Sequence, residues 1–167
     1  ILGGRQQYIV TGGAPTSPAV LKFLRQCFSC PVYDGYGSTE VGSIATDNYI
    51  SQTADVKLED VPELGYTTKD VPCPRGEILV KTHTMFSGYY KNEEATNASF
   101  TPDGYFRSGD IGMKLPDGRI LIIDRKKNVL KLSQAEFVAP EYLENLFLES
   151  PFFDQIYVHG DSFKSFL

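Results

Sequence analysis

The stretch Asp34-Gly35-Tyr36-Gly37-Ser38-Thr39-Glu40 directly follows a short apolar run. Its glycines let the backbone approach a ligand closely because they carry no Cβ, and the ring of Tyr36 offers a flat face for a planar base. Thr39 can donate a hydrogen bond to a phosphate oxygen, and Glu40 can hold a hard cation such as Mg²⁺. Together these residue types suit a magnesium nucleotide, although the stretch taken alone fits a polar hairpin loop equally well.

The sequence before this stretch predicts a strand, a helix and a second strand. Residues 8–11 form an apolar run that Gly12-Gly13-Ala14-Pro15 closes, and Ser17 followed by Pro18 is a typical helix start. Residues 31–34 predict the next strand. This order is typical of a parallel crossover unit, in which ligands bind beyond the carboxyl ends of the strands. Both glycine stretches lie at such ends, which suits a nucleotide site.

After residue 48 many prolines and turn glycines divide the sequence into short candidate strands. We predict strands at residues 55–58, 76–82 and 119–124, one short helix at 93–100, and a hairpin at Asp117-Gly118. Strands at this spacing, with turn residues between them, indicate a small antiparallel barrel or sheet.

Asp110 ends the polar stretch Gly104-Tyr105-Phe106-Arg107-Ser108-Gly109-Asp110, which we place on a loop beside an apolar strand. A carboxylate in such a loop can accept hydrogen bonds from both hydroxyls of a ribose, but the residues alone favour a solvated turn aspartate. The cluster Arg125-Lys126-Lys127 follows the apolar run at 120–123, and such a cluster is usually a solvated bend.

The basic cluster also divides the chain. We predict that residues 1–125 belong to one domain and that residues 126–167 form a hinge and the truncated start of a second domain. In the second part, residues 136–138 and 155–159 predict strands on either side of a helix that begins at Pro140. This pattern indicates the opening of a small α+β unit. The fold class expected for the whole chain is therefore α/β and β.

The composition indicates a globular protein and excludes some functions. Of the 167 residues, 41% are apolar and 22% are charged, which is typical of a folded soluble domain. The net charge of −5 and the pI of about 5.0 argue against a general nucleic-acid-binding surface. No apolar run approaches the roughly 20 residues that a membrane-spanning helix needs. We expect a cytoplasmic protein, with membrane association through another segment left open, and because the chain begins at Ile1 we expect a fragment.

The three cysteines are too few for a disulfide scaffold, and their odd number fits a reducing compartment. Cys27 and Cys30 have the C-x-x-C spacing of zinc and redox sites. No second ligand pair follows, and both histidines stand alone in the sequence. We therefore expect buried apolar cysteines at a helix end instead of a metal site.

Four stretches in this order resemble the motifs of the adenylate-forming superfamily, which comprises acyl-CoA synthetases, peptide-synthetase adenylation domains and luciferases. They are G-G-A-P at 12–15, G-Y-G-S-T-E at 35–40, Y-F-R-S-G-D at 105–110 and D-R-K-K-N-V-L-K at 124–131. The stretches V-P-E-L-G-Y, P-R-G-E-I-L-V-K-T, M-F-S-G-Y-Y-K and N-V-L-K-L-S-Q-A-E-F-V are similar to carboxylic acid reductases and related fatty acyl-CoA ligases. The resemblance implies the C-terminal part of the large adenylation domain, with a parallel crossover unit and a small β-barrel, followed by the start of the α+β lid domain.

The resemblance also implies a role for each candidate residue. Tyr36 would stack on adenine, Thr39 would contact the α-phosphate, and Glu40 would hold Mg²⁺. Asp110 would accept the ribose hydroxyls beside Arg125. The nucleotide-binding set implied in this way comprises Gly12, Gly13, Ala14, Asp34, Gly35, Tyr36, Gly37, Ser38, Thr39, Asp110, Ile122 and Arg125.

The implied reaction has two steps, in which ATP and Mg²⁺ activate a carboxylic or fatty acid as an acyl adenylate and a thiol of CoA or phosphopantetheine then accepts the acyl group. Lys127 corresponds to the hinge about which the small domain rotates between the steps, and Lys131 to a residue used in thiol transfer. An acyl carrier domain is an implied partner, and NADPH is implied only for a carboxylic acid reductase. A non-catalytic nucleotide-binding module is the alternative from another class.

The same resemblance places the family's phosphate-binding loop before Ile1 and its late lysine after Leu167, and it shows Ala135 where the family has glycine. We therefore expect that residues 1–167 alone do not catalyse adenylation, and that the loop around Ala135 differs locally from the family.

Overall fold

The computed structural model describes residues 4–14, 16–131, 137–150 and 152–160. The chain divides into two compact units. Unit 1 comprises residues 1–56, 80–106 and 118–120, and unit 2 comprises residues 57–79, 107–117 and 121–167. The predicted boundary between residues 125 and 126 stays a prediction, because these units follow packing within the described part of the chain and not the family's domain limits.

Unit 1 begins with the crossover that the sequence predicts. Strand β1 (Ile9–Gly12) and strand β2 (Val32–Ser38) are parallel, and helix α1 (Pro18–Phe28) connects them. The helix begins where expected, since Ser17 Oγ accepts a hydrogen bond from the Val20 backbone N–H at 3.3 Å.

The stretch at residues 34–40 is only partly the loop that we predicted, because its residues through Ser38 belong to β2 and only Thr39 and Glu40 lie in a turn. Strand β2 continues through Ser38, and the chain returns as β3 (Gly42–Thr46) and β4 (Tyr49–Ile50), both antiparallel to their neighbours, in the sheet order β1-β2-β3-β4. The glycines serve this pairing. A Cβ on Gly37 would lie 2.3 Å from the carbonyl oxygen of Gly42, so only glycine allows the two strands to approach this closely.

Four further strands form a second sheet in chain order, β5-β6-β7-β8. Closure into a barrel would require the two end strands to pair, and in the described ranges they do not. Of the two predicted arrangements, a barrel or a sheet, the structure therefore has the sheet. A short 3-10 turn at Pro62–Leu64 and helix α2 (Glu93–Ala98) interrupt the strands. The strands are β5 (Ala54–Glu59), β6 (Arg75–Thr82), β7 (Phe106–Lys114) and β8 (Ile120–Arg125).

Unit 2 ends with part of the predicted α+β pattern. Strands β9 (Leu130–Lys131) and β10 (Phe137–Val138) are antiparallel, and helix α3 (Pro140–Phe147) follows. The predicted strand at 155–159 is wrong, because that segment is irregular. Its Val158 N–H donates to Glu144 Oε1 at 2.8 Å, so a side chain takes the hydrogen bond that a sheet partner would take. Glu136 and Ala135 lie outside the described residues.

Each unit has its own apolar core. The buried core residues of unit 1 are Val32, Val41, Ile44, Ala45, Val80, Phe106 and Ile120. Those of unit 2 are Val61, Cys73, Ile78, Leu79, Ile111 and Val129.

The cysteine prediction is wrong in one respect. Cys27 is exposed, since α1 has no buried residue among its eleven, and Cys30, two residues after the helix, is half-buried. In the part of the chain that the structure describes, no group of three or more His, Cys, Asp and Glu side chains could hold a metal ion. Within the same ranges, no helix is both long and apolar enough to cross a membrane.

Replacing Gly76 with alanine is expected to lower the free energy of unfolding by about 3 kcal/mol, because overpacking a tight site costs about that much. Gly76 is buried in β6, and an added Cβ would lie 2.3 Å from the Glu59 carbonyl oxygen. The matched control is Gly118→Ala, since a Cβ there meets no atom and only the positive φ of 88° is strained, at a cost of about 1 kcal/mol. Urea unfolding midpoints measure both changes, and equal shifts would contradict the packing argument.

Candidate functional site

In unit 1, three hydrogen bonds around Asp34 connect β2 to β1 and to the turn that follows β3. Thr11 Oγ1 donates to Asp34 Oδ1 at 3.1 Å, the Asp34 N–H donates to Asp47 Oδ1 at 2.9 Å, and the Asp47 N–H donates to the Asp34 carbonyl at 2.7 Å. Gly12 and Gly35 are register partners, and a Cβ on Gly12 would lie 2.6 Å from the Gly35 carbonyl oxygen. The structure therefore brings the two predicted glycine stretches together, and Thr11 and Asp47 are supporting residues that the sequence analysis missed.

The other residues of these stretches differ in exposure. Gly13 has a φ of 89° and is exposed, as is Ala14, while Pro15 lies outside the described residues. Tyr36 is half-buried within β2 and pairs with Ala45. The exposed backbone after β1 thus lies beside the strand that carries the tyrosine, since β1 and β2 are neighbours.

Thr39 and Glu40 lie in the turn between β2 and β3, and hydrogen bonds from the last residue of β6 and the segment after it hold this turn in place. The carbonyl of Val41 accepts hydrogen bonds from Thr82 Oγ1 and Thr84 Oγ1, both at 2.9 Å. The Thr39 side chain is exposed and Glu40 is half-buried. Just before the turn, the hydroxyl oxygen of Ser38 is buried and has no hydrogen-bond partner among the described residues.

Tyr89 is a third residue that the sequence analysis missed. Its hydroxyl donates to Glu40 Oε1 at 3.0 Å, and its ring packs edge-on against Phe86 with centroids 4.9 Å apart. Partial burial, and then the hydrogen bond to Glu40, raise the pKa of Tyr89, so the hydroxyl is a protonated donor at neutral pH. The stretch M-F-S-G-Y-Y-K marks this residue only as part of a family likeness, because nothing local in the sequence points to a carboxylate 49 residues away.

The turn fits a magnesium nucleotide on chemical grounds. Mg²⁺ in nucleotide sites is held by one or two carboxylates together with substrate phosphates and water, and does not need an all-protein cage. Glu40 supplies one such carboxylate on a fixed turn, so the lack of a larger acidic cluster in the described ranges is compatible with this ion.

In unit 2, Asp110 is not the solvated turn residue that the sequence favoured. It lies within β7 and is only 8% exposed. The Arg125 Nε lies 3.4 Å from Asp110 Oδ1, and the Asp110 N–H donates to Ser108 Oγ at 3.1 Å. A buried carboxylate with an exposed arginine beside it can accept hydrogen bonds from hydroxyl groups of a ligand. Ile122 is half-buried in β8, the strand that ends at Arg125.

The basic cluster after β8 is also more than a solvated bend. Lys126 Nζ lies 2.9 Å from Glu77 Oε2 and 3.5 Å from Glu63 Oε1, and the Lys126 N–H donates to the Gly109 carbonyl at 2.8 Å. Burial alone would lower the pKa of Lys126, but Glu77 and Glu63 outweigh burial and raise it. Lys127 is exposed in the turn that follows. Lys131 lies in β9, and its side chain falls outside the described part of the structure.

Asp124 gives unit 2 a pH-dependent stability. It is 3% exposed, and burial raises its pKa, with further contributions from the charges of Glu141 and Glu144. A carboxyl group whose pKa is raised on folding stabilises the folded state most at low pH, and this contribution is lost as the pH rises through the raised pKa.

We therefore expect Asp124→Asn to reduce the loss of thermal stability as the pH rises from about 4, near the ordinary aspartate pKa, towards 7. The amide keeps an oxygen that can accept the Arg125 N–H, which donates to Asp124 Oδ1 at 2.6 Å. Melting temperatures across this pH range measure the effect. Asp154→Asn, a change at an exposed aspartate, is the control and should have the same dependence of melting temperature on pH as the unmodified protein.

Comparison with known proteins agrees with this fold and these motifs. Residues 2–90 match the family model described as AMP-binding enzyme. The chain belongs to the AMP-binding enzyme family, which confirms the resemblance to adenylate-forming enzymes.

Two similar relatives are of different kinds. Fatty acyl-CoA synthetase A of Dictyostelium discoideum is 47% identical over 177 aligned positions, covering 99% of this chain and 26% of that protein. Carboxylic acid reductase of Mycobacterium tuberculosis (strain ATCC 25618 / H37Rv) is 44% identical, covering 99% of this chain and 14% of that protein. The chain thus spans about a quarter or less of the length of these relatives.

A solved structure has the same fold. The A domain of carboxylic acid reductase from Segniliparus rugosus, in complex with AMP and a co-purified carboxylic acid, superposes with a TM-score of 0.89 at 43% identity. The match covers 98% of this chain and 26% of that chain. The predicted α/β and β class is therefore confirmed.

Proposed function

We propose that the protein containing this chain activates a carboxylic acid, of the fatty acid type, with ATP and transfers the acyl group to a thiol. The observation that carries this proposal is the held turn after Tyr36, in which Thr39 and Glu40 follow β2 and the Glu40 carboxylate accepts a hydrogen bond from Tyr89. Similarity to acyl-CoA synthetases and to reductase A domains supports it.

In unit 1 the residues serve the base and the phosphates. The exposed backbone of Gly12 and Gly13 and the backbone of Gly35 line the base, and Tyr36 stacks on it, with Ala14, Asp34, Gly37 and Ser38 completing the set. Thr39 donates to the α-phosphate, and Glu40 holds Mg²⁺. When bound, the ion offsets negative charge that grows on the phosphate oxygens.

In unit 2 the residues bind the ribose and take part in the transfer of the acyl group to the thiol. The buried Asp110 accepts hydrogen bonds from the ribose hydroxyls beside Arg125, and Ile122 adds apolar contact. Lys127 is the hinge about which the small domain rotates between the two steps, and Lys131 acts in the transfer of the acyl group to the thiol.

The reaction needs positioning and charge stabilisation more than acid–base chemistry. A carboxylate oxygen of the acid attacks the α-phosphorus of ATP, the bond to the β-phosphate oxygen breaks, and pyrophosphate leaves with the bonding electrons. The thiolate of CoA or phosphopantetheine then attacks the acyl carbon of the mixed anhydride, and AMP leaves. Hydrogen-bond donors such as Thr39 stabilise charge in the transition state without having to reorganise. This preorganised stabilisation is usually the largest contribution to the rate enhancement.

Two other functions remain as alternatives. The chain is similar to an A-PCP didomain of carboxylic acid reductase from Segniliparus rugosus, which supports an adenylation domain that feeds a carrier domain and an NADPH-dependent reductase. A non-catalytic nucleotide-binding module is the alternative from another class, and the presence of both Glu40 and Asp110 argues against it. The cytoplasmic location and the inactivity of residues 1–167 alone stay predictions.

The test uses the complete product of the gene that encodes this chain. Pyrophosphate release is measured with ATP and a panel of carboxylic acids, with hydroxylamine as the acyl acceptor, and with CoA or NADPH added in turn. Acid-dependent release with CoA thioester formation supports the ligase. Release with NADPH oxidation to an aldehyde supports the reductase. ATP binding without release from any acid overturns the proposed activity and leaves the non-catalytic module.

A further inference from the structure

We propose that Tyr89 is a positioning residue that holds the Glu40 carboxylate ready for the nucleotide's metal ion. The inference concerns unit 1 alone and rests on the proposed function for the role of Glu40. It assigns a role to a tyrosine of the stretch M-F-S-G-Y-Y-K, to which the sequence analysis gave no role.

The segment 86–89 contacts both the backbone and the side chain of Glu40. The Phe86 N–H donates to the Glu40 carbonyl at 2.7 Å, and the Tyr89 hydroxyl donates to Glu40 Oε1 at 3.0 Å. The segment 86–89 therefore fixes the position of the Glu40 main chain and restricts the rotation of its carboxyl group. A carboxylate that is already ordered loses less conformational freedom when an ion binds.

The tyrosine is itself held on a rigid support. Its backbone N–H donates to Thr96 Oγ1 at 2.9 Å, and Thr96 Oγ1 donates to the Asn92 carbonyl at 2.8 Å. Gly88 brings this segment close to α2, because a Cβ there would lie 2.7 Å from Thr96 Cγ2. These contacts place the Tyr89 hydroxyl without help from a ligand.

The aromatic residues around Tyr89 complete the support. Phe86 lies edge-on to Tyr89, stacks on Phe100 at 5.8 Å and meets Phe106 edge-on at 5.7 Å between ring centroids. Aromatic pairs in these geometries stabilise packing beyond the area that they bury. Replacing Tyr89 with phenylalanine keeps the ring in this cluster and removes only the hydroxyl, so the substitution isolates the hydrogen bond to Glu40.

The adjacent Tyr90 is a matched control. It is 88% exposed, and its ring faces Lys91, with Nζ 5.1 Å from the centroid, and not the Glu40 turn. Tyr90→Phe removes the same atom from the next residue in the chain, so any general effect of losing a tyrosine hydroxyl on this segment appears in both variants.

The experiment compares the unmodified full-length protein with Tyr89→Phe and Tyr90→Phe at varied free Mg²⁺. Pyrophosphate release measures activity, and calorimetric titration with ATP measures affinity at each Mg²⁺ concentration. We expect Tyr89→Phe to raise the apparent dissociation constant for Mg²⁺ about tenfold, the usual effect of removing a group that orients a metal-binding carboxylate. The melting temperature without nucleotide should be unchanged, and Tyr90→Phe should match the unmodified protein.

A double-mutant cycle with Glu40→Gln tests whether Tyr89 affects Mg²⁺ binding through Glu40 or independently of it. If Tyr89 acts through Glu40, the change Tyr89→Phe adds little once the carboxylate is gone, because the two residues are energetically coupled. If Tyr89→Phe still lowers the Mg²⁺ affinity tenfold in the Glu40→Gln background, the inference is overturned. A Tyr89→Phe variant with an unchanged dissociation constant for Mg²⁺ overturns it as well.

The two proposals can fail separately. If the unmodified protein binds Mg²⁺ and ATP but releases no pyrophosphate with any acid, the proposed activity fails, and the titrations still decide the role of Tyr89. If it releases pyrophosphate and Tyr89→Phe behaves like Tyr90→Phe, only the inference about Tyr89 fails. Absence of any Mg²⁺-dependent ATP binding overturns both.

Discussion

Replacing Glu40 with glutamine is expected to lower kcat/KM for acid activation by about 100- to 1,000-fold, the usual cost of removing one preorganised electrostatic group from an active site. Glutamine has the same shape and can still accept the hydrogen bond that Tyr89 donates at 3.0 Å, so the turn should keep its structure. The amide carries no charge, however, and is a much poorer partner for Mg²⁺ than a carboxylate. The loss should therefore appear in the Mg²⁺ dependence of pyrophosphate release.

The control for this prediction is Glu94→Gln, in the exposed first turn of α2, which also removes one negative charge from the same unit. It should leave the rate and the Mg²⁺ dependence unchanged. A Glu40→Gln variant that keeps the Mg²⁺ dependence of the unmodified protein would show that the ion is held by other groups.

Replacing Asp110 with asparagine is expected to raise the KM for ATP by about 10- to 100-fold, because a hydrogen bond to a charged group contributes about 1.5–3 kcal/mol. Asp110 is 8% exposed in β7, and its Oδ1 lies 3.4 Å from Arg125 Nε. If the carboxylate accepts the ribose hydroxyls in both the ground and transition states, the change should raise KM with little effect on kcat.

A modified nucleotide makes this second test specific for the ribose. The unmodified protein should prefer ATP to 2′,3′-dideoxy-ATP by at least tenfold, and Asp110→Asn should lose most of that preference. Asp154→Asn, at an exposed aspartate outside the site, is the control and should keep it. An Asp110→Asn variant that still discriminates between the two nucleotides would assign the ribose to another residue and leave Asp110 as a partner of Arg125 alone.

Local patterns predicted much of the fold. Ser17 and Pro18 marked the start of α1 because capping depends on residues that are neighbours in the chain. The parallel order of β1 and β2 followed from an intervening helix. The hairpin at Asp117-Gly118 lies between β7 and β8 as predicted, with Gly118 at a φ of 88°.

Prediction failed where a distant partner changed a local preference. Residues 35–38 have the composition of a loop, yet they pair with β3 and form part of β2. Asp110 has the setting of a solvated turn, yet it is a buried residue of β7. The segment 155–159 has strand-forming residues, but Val158 bonds to a side chain instead of a neighbouring strand.

The sequence by itself determined the family, the crossover at the start of unit 1 and the identity of the candidate residues, since motifs and helix starts are properties of neighbouring residues. The tertiary structure alone decided how those residues are held. Tyr89 reaches Glu40 across 49 positions, and Lys126 reaches the buried Glu77 across another 49. Such pairs depend on which strands lie side by side, and strand pairing is set by the packing of the whole core and not by any short stretch of the chain.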